Sequence, residues 1–214
     1  MKRGRLDRAL RRCGQTFGRA AFARNPVAVG ALGLFPVAAG AYQLQNAVAL
    51  TLLTLAVSAP ASVLFSLLGR RVPAWLRPGL ALAAAGALFL PAQQLVNAFL
   101  PAAAGWAGLF APVAICNSAV LSRLNEFAPQ AAPWEALADA LGNTFGFGLA
   151  ACAVAVLREW LATGAVWGFS LEPETALQQP FFGFLLLGFL AAGFRAAAAR
   201  RARRSAKRRK EDAA

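Results

Sequence analysis

Histidine is absent from this chain. That excludes a histidine-based metal site, an imidazole proton shuttle and a Ser–His hydrolase. Cysteine is nearly as rare. Cys13 lies in a basic arm, and Cys116 and Cys152 lie in apolar stretches, so no disulfide framework is implied. Acidic residues number nine, and they form no paired-carboxylate site; no phosphate-binding loop and no nucleophile–base set can be assembled either. Charge as a whole is scarce, at 14% of residues against 58% hydrophobic. A soluble domain needs a charged shell, whereas here the charge sits in two tails and a few loops. The chain is therefore read as embedded in a lipid bilayer.

What the chain does have is six apolar stretches, over residues 26–42, 46–68, 76–101, 102–121, 135–157 and 181–199. They sort the 22 Lys and Arg residues with great asymmetry. The N-terminal arm carries eight, the loop after the second stretch carries Arg70, Arg71 and Arg77, the loop after the fourth carries Arg123, and the tail from Arg195 to Lys210 carries nine. Only Arg158 falls on the opposite side. Translocating positive charge costs free energy, so the richly basic side is cytoplasmic, both termini are expected inside, and the number of spans is even. The net charge of +13 is confined to segments flanking apolar spans, which points to anionic lipid headgroups as its partner and away from nucleic acid.

The organisation along the chain follows. Residues 1–24 read as a basic amphipathic cytoplasmic arm, with Leu6, Leu10, Cys13, Phe17 and Ala21 on one helical face. Residues 25–199 form the membrane domain and 200–214 a basic cytoplasmic tail. The first stretch is short: as a continuous helix Val27 to Tyr42 rises only ~24 Å against a hydrocarbon core of ~30 Å. Pro36 removes a backbone donor and disfavours helix at Phe35, predicting a break near Leu34–Pro36. Gly108-Leu109-Phe110-Ala111-Pro112 in the fourth stretch echoes Gly33-Leu34-Phe35-Pro36, and both open a three-span half. Paired interruptions in corresponding positions suggest two halves of inverted topology meeting at the midplane. Pro36 and Pro112 mark the breaks. Asn117 and Ser118 lie where freed carbonyls could coordinate a cation or line its path, with hydrogen bonding between helices as the alternative role. Asp139, near the start of the fifth span, is a candidate on the ion path, or else a charge placed at a helix N-terminus. Gly142, Gly146 and Gly148 form a small-residue face, and Arg158 and Glu159 are expected to pair or snorkel at the outer boundary. Glu126 is read as a loop charge facing Arg123.

Particular strings carry a resemblance. Asn25-Pro26-Val27 with Gly33-Leu34-Phe35-Pro36, then Pro112-Val113 to Asn117, Ala119-Val120-Leu121 with Arg123 and Phe127, Asp139-Ala140-Leu141-Gly142 with Gly146-Phe147, and Leu157-Arg158-Glu159 follow one another in order. Together they resemble the Rnf/Nqr integral membrane subunits, most of all the E subunit of Rnf complexes, the equivalent of the D subunit of Nqr. The resemblance covers about residues 25 to 169. It implies an all-α membrane protein with six transmembrane helices in two inverted three-helix repeats, the first and fourth helices being broken. It implies a bacterial cytoplasmic membrane, a sister six-helix subunit, and a complex coupling ferredoxin- or NAD-linked electron transfer to Na⁺ or H⁺ movement. The chain would then be a non-catalytic subunit of a redox-driven ion translocase. The family pair is expected to ligate a [2Fe–2S] cluster through one cysteine in each broken helix of each subunit. Those cysteine positions are occupied here by Phe35 and Ser118, and neither supplies a thiolate. Cys116 lies two residues before Ser118, about 200° away around an ideal helix. The resemblance thus implies scaffold and ion path for this chain, with no iron ligand of its own. An inverted-repeat transporter or channel without redox chemistry is the alternative.

Overall fold

The computed structural model describes residues 11–23, 25–27, 29–30, 32–101, 112, 116–163 and 180–211, and every regular element among them is helical. Residues 11–18 form α1, which widens into a π-helical turn at Arg19–Ala23. There follow α2 (Leu34–Gly40), α3 (Leu44–Leu68), α4 (Arg77–Phe99), α5 (Ser118–Glu126), a 3₁₀ turn (Ala128–Gln130), α6 (Pro133–Thr163) and α7 (Pro180–Glu211). Within the described residues Leu44–Leu68, Arg77–Phe99 and Pro133–Leu161 are long and apolar enough to cross a membrane, and Phe181–Gly193 is a shorter apolar run. The second and third apolar stretches thus emerge nearly as predicted. The fifth and last become longer helices, whose ends run through charged residues that a hydropathy boundary excludes. Most of the fourth stretch, including the Gly108–Ala111 echo, lies outside the described residues.

α3 and α6 form a central antiparallel pair, and three contacts give the register. Glu159 accepts a hydrogen bond from the Leu44 N–H (2.8 Å), Gly148 faces Thr51, and the hydroxyls of Ser58 and Thr144 meet at 3.0 Å. The interface is built from small residues because lipid offers no hydrophobic gain for burying leucine, so helices adhere by close backbone approach and hydrogen bonds. Its buried core is correspondingly rich in alanine, with Ala47, Ala49, Ala150, Ala151 and Ala155 around Leu50, Leu53 and Val154. The hydroxyl pair adds about 0.6 kcal/mol by the average for such bonds. Larger apolar side chains such as Leu67, Leu90, Phe99 and Phe189 point outward.

The three glycines of the fifth span do not share one face. Gly148 receives Thr51 of α3, whereas Gly142 and Gly146, one turn apart, receive the N-terminal helix. A β-carbon on Gly142 would stand 2.5 Å from Phe17 O, and one on Gly146 would stand 2.8 Å from Ala21 O. Phe17 also meets the Phe145 ring, with centroids 5.9 Å apart. The described part of the arm is therefore seated on α6 along its apolar side. Asn25 locks the seat: its Nδ2 donates to Ala21 O and Gly146 O, and its Oδ1 accepts the Val27 N–H.

The two ends of the bundle differ in charge. Arg12 lies 3.9 Å from Glu135 at the start of α6, and Arg70 donates to Pro129 O and Gln130 O, which places these basic segments at one end. Arg158 and Glu159 occupy the other. Neither snorkels outward: both are buried, and each serves a different helix terminus. Arg158 Nη1 donates to Ala38 O (2.9 Å) and Ala41 O (3.4 Å) at the C-terminus of α2, while Glu159 meets the N-terminus of α3. Both placements oppose charge to the local helix dipole. Gly183 of α7 closes over this corner, its α-carbon open to Ala38 O and Arg158 Nη1.

Candidate functional site at the helix breaks

Gly33 is the one described glycine with a positive φ (+70°). The chain bends there, and α2 starts at the next residue. The break thus precedes the position that proline alone suggested. Pro36 is the third residue of α2, within the first turn, where its missing N–H has no intrahelical acceptor to lose; Phe35 is helical. The first helical bond runs from Val37 N–H to Gly33 O. The second break is capped by Asn117, whose extended backbone carries Oδ1 to the Ala119 N–H at 3.0 Å.

The two breaks meet. Gly33 N–H donates to Ser118 Oγ at 2.9 Å, across 85 residues of chain. A β-carbon on Gly33 would lie 2.9 Å from Asn117 Oδ1 and 3.1 Å from the Phe147 ring. Asn117 is fully buried. From this junction α2 runs outward to Arg158, while α5 runs the opposite way to the 3₁₀ turn beside the end of α3. Gly33→Ala is expected to destabilise the protein by about 2 kcal/mol or more, from the left-handed backbone plus the blocked β-carbon site. The check is the thermal midpoint of the detergent-solubilised protein, where an unchanged value contradicts the fit described.

The polarity of the junction differs from the expectation of free carbonyls. Gly33 O accepts Val37 N–H, and Asn117 O accepts the N–H groups of Val120 and Leu121. What the described residues present instead are donors: two helix N-termini converge, and Asn117 Nδ2 is buried without an acceptor. Converging N-termini make the local potential positive, which suits an acceptor group and opposes a bare cation.

Asp139 stands two turns inside α6, not at its N-terminus, and it is buried. Its carboxylate is gripped in bidentate fashion by Arg123 of α5, with Nε to Oδ2 at 2.7 Å and Nη2 to Oδ1. Arg123 also lies over the Phe127 ring, 4.8 Å from its centroid. The sequence had matched Arg123 with Glu126; the structure assigns it to Asp139. Asn143, one turn on, donates to Ala119 O at 2.9 Å. Asp139 and Asn143 thus tie α6 to α5 from below the junction. Neither Asn143 nor Phe147 stood out in the sequence, beyond Phe147's place in the Gly146-Phe147 string. Pro112 and Cys116 are exposed, and Pro36 is buried.

A sequence model described as "Rnf-Nqr subunit, membrane protein" matches residues 13–198, from within α1 to within α7. The chain belongs to the Rnf-Nqr family. Among its Rnf-Nqr relatives, the D subunit of the Na(+)-translocating NADH-quinone reductase of Haemophilus ducreyi is 29% identical over 147 residues, 69% of this chain and 71% of that protein. The protein of the same name from Aeromonas salmonicida is 29% identical over 149 residues, 70% of this chain and 71% of its own. That of Serratia proteamaculans is 29% identical over 147 residues, 69% and 70%. The iron–sulfur cluster expected for Rnf-Nqr pairs does not fit the side chains this member places at the breaks. Phe35 is a hydrocarbon ring, 59% exposed, and the Ser118 hydroxyl oxygen is already an acceptor for Gly33 N–H. Among the described residues no three of His, Cys, Asp or Glu cluster as a metal site.

Proposed function

We propose that this chain is a non-catalytic membrane subunit of an Rnf-Nqr-type complex that couples electron transfer from NADH to quinone to the movement of Na⁺. In this reading it crosses the bacterial cytoplasmic membrane six times as two inverted three-helix halves. Residues leading to and including α2 make the first crossing, α3, α4, the segment ending in α5, α6 and α7 the others, with both termini inside. The observation that supports the proposal is the junction of Gly33 with Ser118, where α2 and α5 start close together and diverge. The ion route runs past Asp139, on the cytoplasmic side of this junction, and Pro36, Pro112, Asn117 and Ser118 mark the helix breaks, whose converging N-termini keep a bare cation off the junction itself. The exposed Phe35 and Ser118 face a sister six-helix subunit, and the basic tail and the polar side of the arm, opposite its seat on α6, meet anionic lipid.

The test is purification of the full chain, tagged, from its native membrane. Recovery with other membrane subunits and with Na⁺-stimulated NADH–quinone activity is expected. A stable homo-oligomer recovered without partners would instead favour a transporter of inverted-repeat design without redox chemistry.

A further inference from the structure

We infer that the cleft between the end of α3 and the start of α4 seats one anionic phospholipid, its acyl chain in the cleft and its phosphate on Arg71. The inference rests on the membrane placement of the helices and is independent of the redox role. The cleft has a volume of about 350 Å³ and walls of Leu64, Phe65, Leu68, Leu80 and Ala84, almost wholly apolar, with Arg71 at its rim. Leu64, Leu68 and Leu80 are exposed toward it, as befits a surface that lies against hydrocarbon. Trp75, 79% exposed in the connecting loop, marks the level of the headgroups.

The charge of this rim has no counterpart in the neighbouring chain. No Asp or Glu occurs anywhere between Asp7 and Glu126, yet the loop carries three arginines. Two of them are committed: Arg70 holds Pro129 O and Gln130 O, and Arg77 Nε holds Val72 O at 3.1 Å. Those bonds stiffen the loop. The Arg71 side chain is exposed and makes no hydrogen bond or ion pair with a described residue, its backbone N–H alone being held, by Leu68 O. An uncommitted guanidinium at the lip of an apolar cleft, at headgroup level, has the chemistry of a phosphodiester site with a hydrocarbon tail. A cleft of this kind with a neutral rim would take any lipid; the arginine selects for negative charge.

Native mass spectrometry of the full chain, with the subunits that accompany it, would count bound lipid on titration with phosphatidylglycerol or phosphatidylcholine of identical chains. One phosphatidylglycerol is expected to be retained in preference. Arg71→Gln should lower that preference about fivefold, the weight of one basic residue at the surface, and Arg71→Lys should keep most of it. Ala84→Phe, which fills the cleft, should reduce retention of both lipids. Glycerol 3-phosphate should not compete, since it lacks the chain. Arg71→Gln retaining phosphatidylglycerol like the parent protein would overturn the proposal, as would competition by glycerol 3-phosphate. Loss of a partner subunit from Ala84→Phe with lipid count unchanged would make the cleft a protein interface, and would overturn it too.

Discussion

Asp139→Leu is expected to destabilise the protein by about 3 kcal/mol, because it leaves the Arg123 guanidinium in the bundle without its counter-ion. Severing one partner of a buried pair costs about 3–5 kcal/mol. The low end applies here, since the Arg123 side chain is 24% exposed while Asp139 is 4% exposed. Arg123→Leu should be at least as harmful, for it strands the more deeply buried carboxylate. The double variant should recover most of the loss, as replacing both members of a buried pair by apolar residues is often close to neutral. The measurement is the thermal midpoint by size-exclusion fluorescence after heating, for both singles and the double. Additive losses would mean that the pair is not a coupled unit. The same three variants examine the ion route. If Asp139 carries Na⁺, transport should stay abolished in the stable double variant; if Asp139 only fastens α6 to α5, transport should return with stability.

Arg158→Leu should cost a similar amount, about 3 kcal/mol, for a different reason. Arg158 is 1% exposed, and its hydrogen bonds satisfy carbonyls at the C-terminus of α2 that have no intrahelical donor. A charge-assisted bond contributes about 1.5–3 kcal/mol, and a cation at a buried helix C-terminus up to about 2. The local signature is faster hydrogen exchange at the Ala41 amide, whose bond to Val37 O closes the last turn of α2. Glu159→Gln keeps an acceptor for the Leu44 N–H and should change stability by less than about 1 kcal/mol. Equal exchange at Ala41 in parent and Arg158→Leu would remove Arg158 as the cap of α2.

The long helices were legible because hydropathy alone defines them: α3 and α4 are uninterrupted apolar runs that fall within two residues of the stretches read from the sequence. The family strings were legible as well, and the Rnf-Nqr match bears out the resemblance that their order carried. The far end of α6 was not. Arg158 and Glu159 read as a boundary, whereas the helix continues past them and buries them, each neutralised by backbone dipoles that no hydropathy window contains. Asp139 was visible as an unusual residue, but its partner was not. Arg123 lies sixteen residues away, across the turn between α5 and α6, beyond any helical i,i+4 rule. Proline located the first break to within a few residues; glycine set it, through a left-handed backbone that a residue name only permits. Asn25 went unread apart from its place in a family string. An Asn-Pro pair after a helical run is a signal for a side-chain-capped turn, and here that turn anchors the arm.

The glycine seat on α6 also dictates an order of assembly. Asn25 holds Gly146 across 121 residues of sequence, so α1 cannot dock until α6 has been made. At translation rates of roughly 5–20 residues per second, that interval lasts about 6–24 s. During it Phe17, Ala20 and Ala21 have no α6 to pack against.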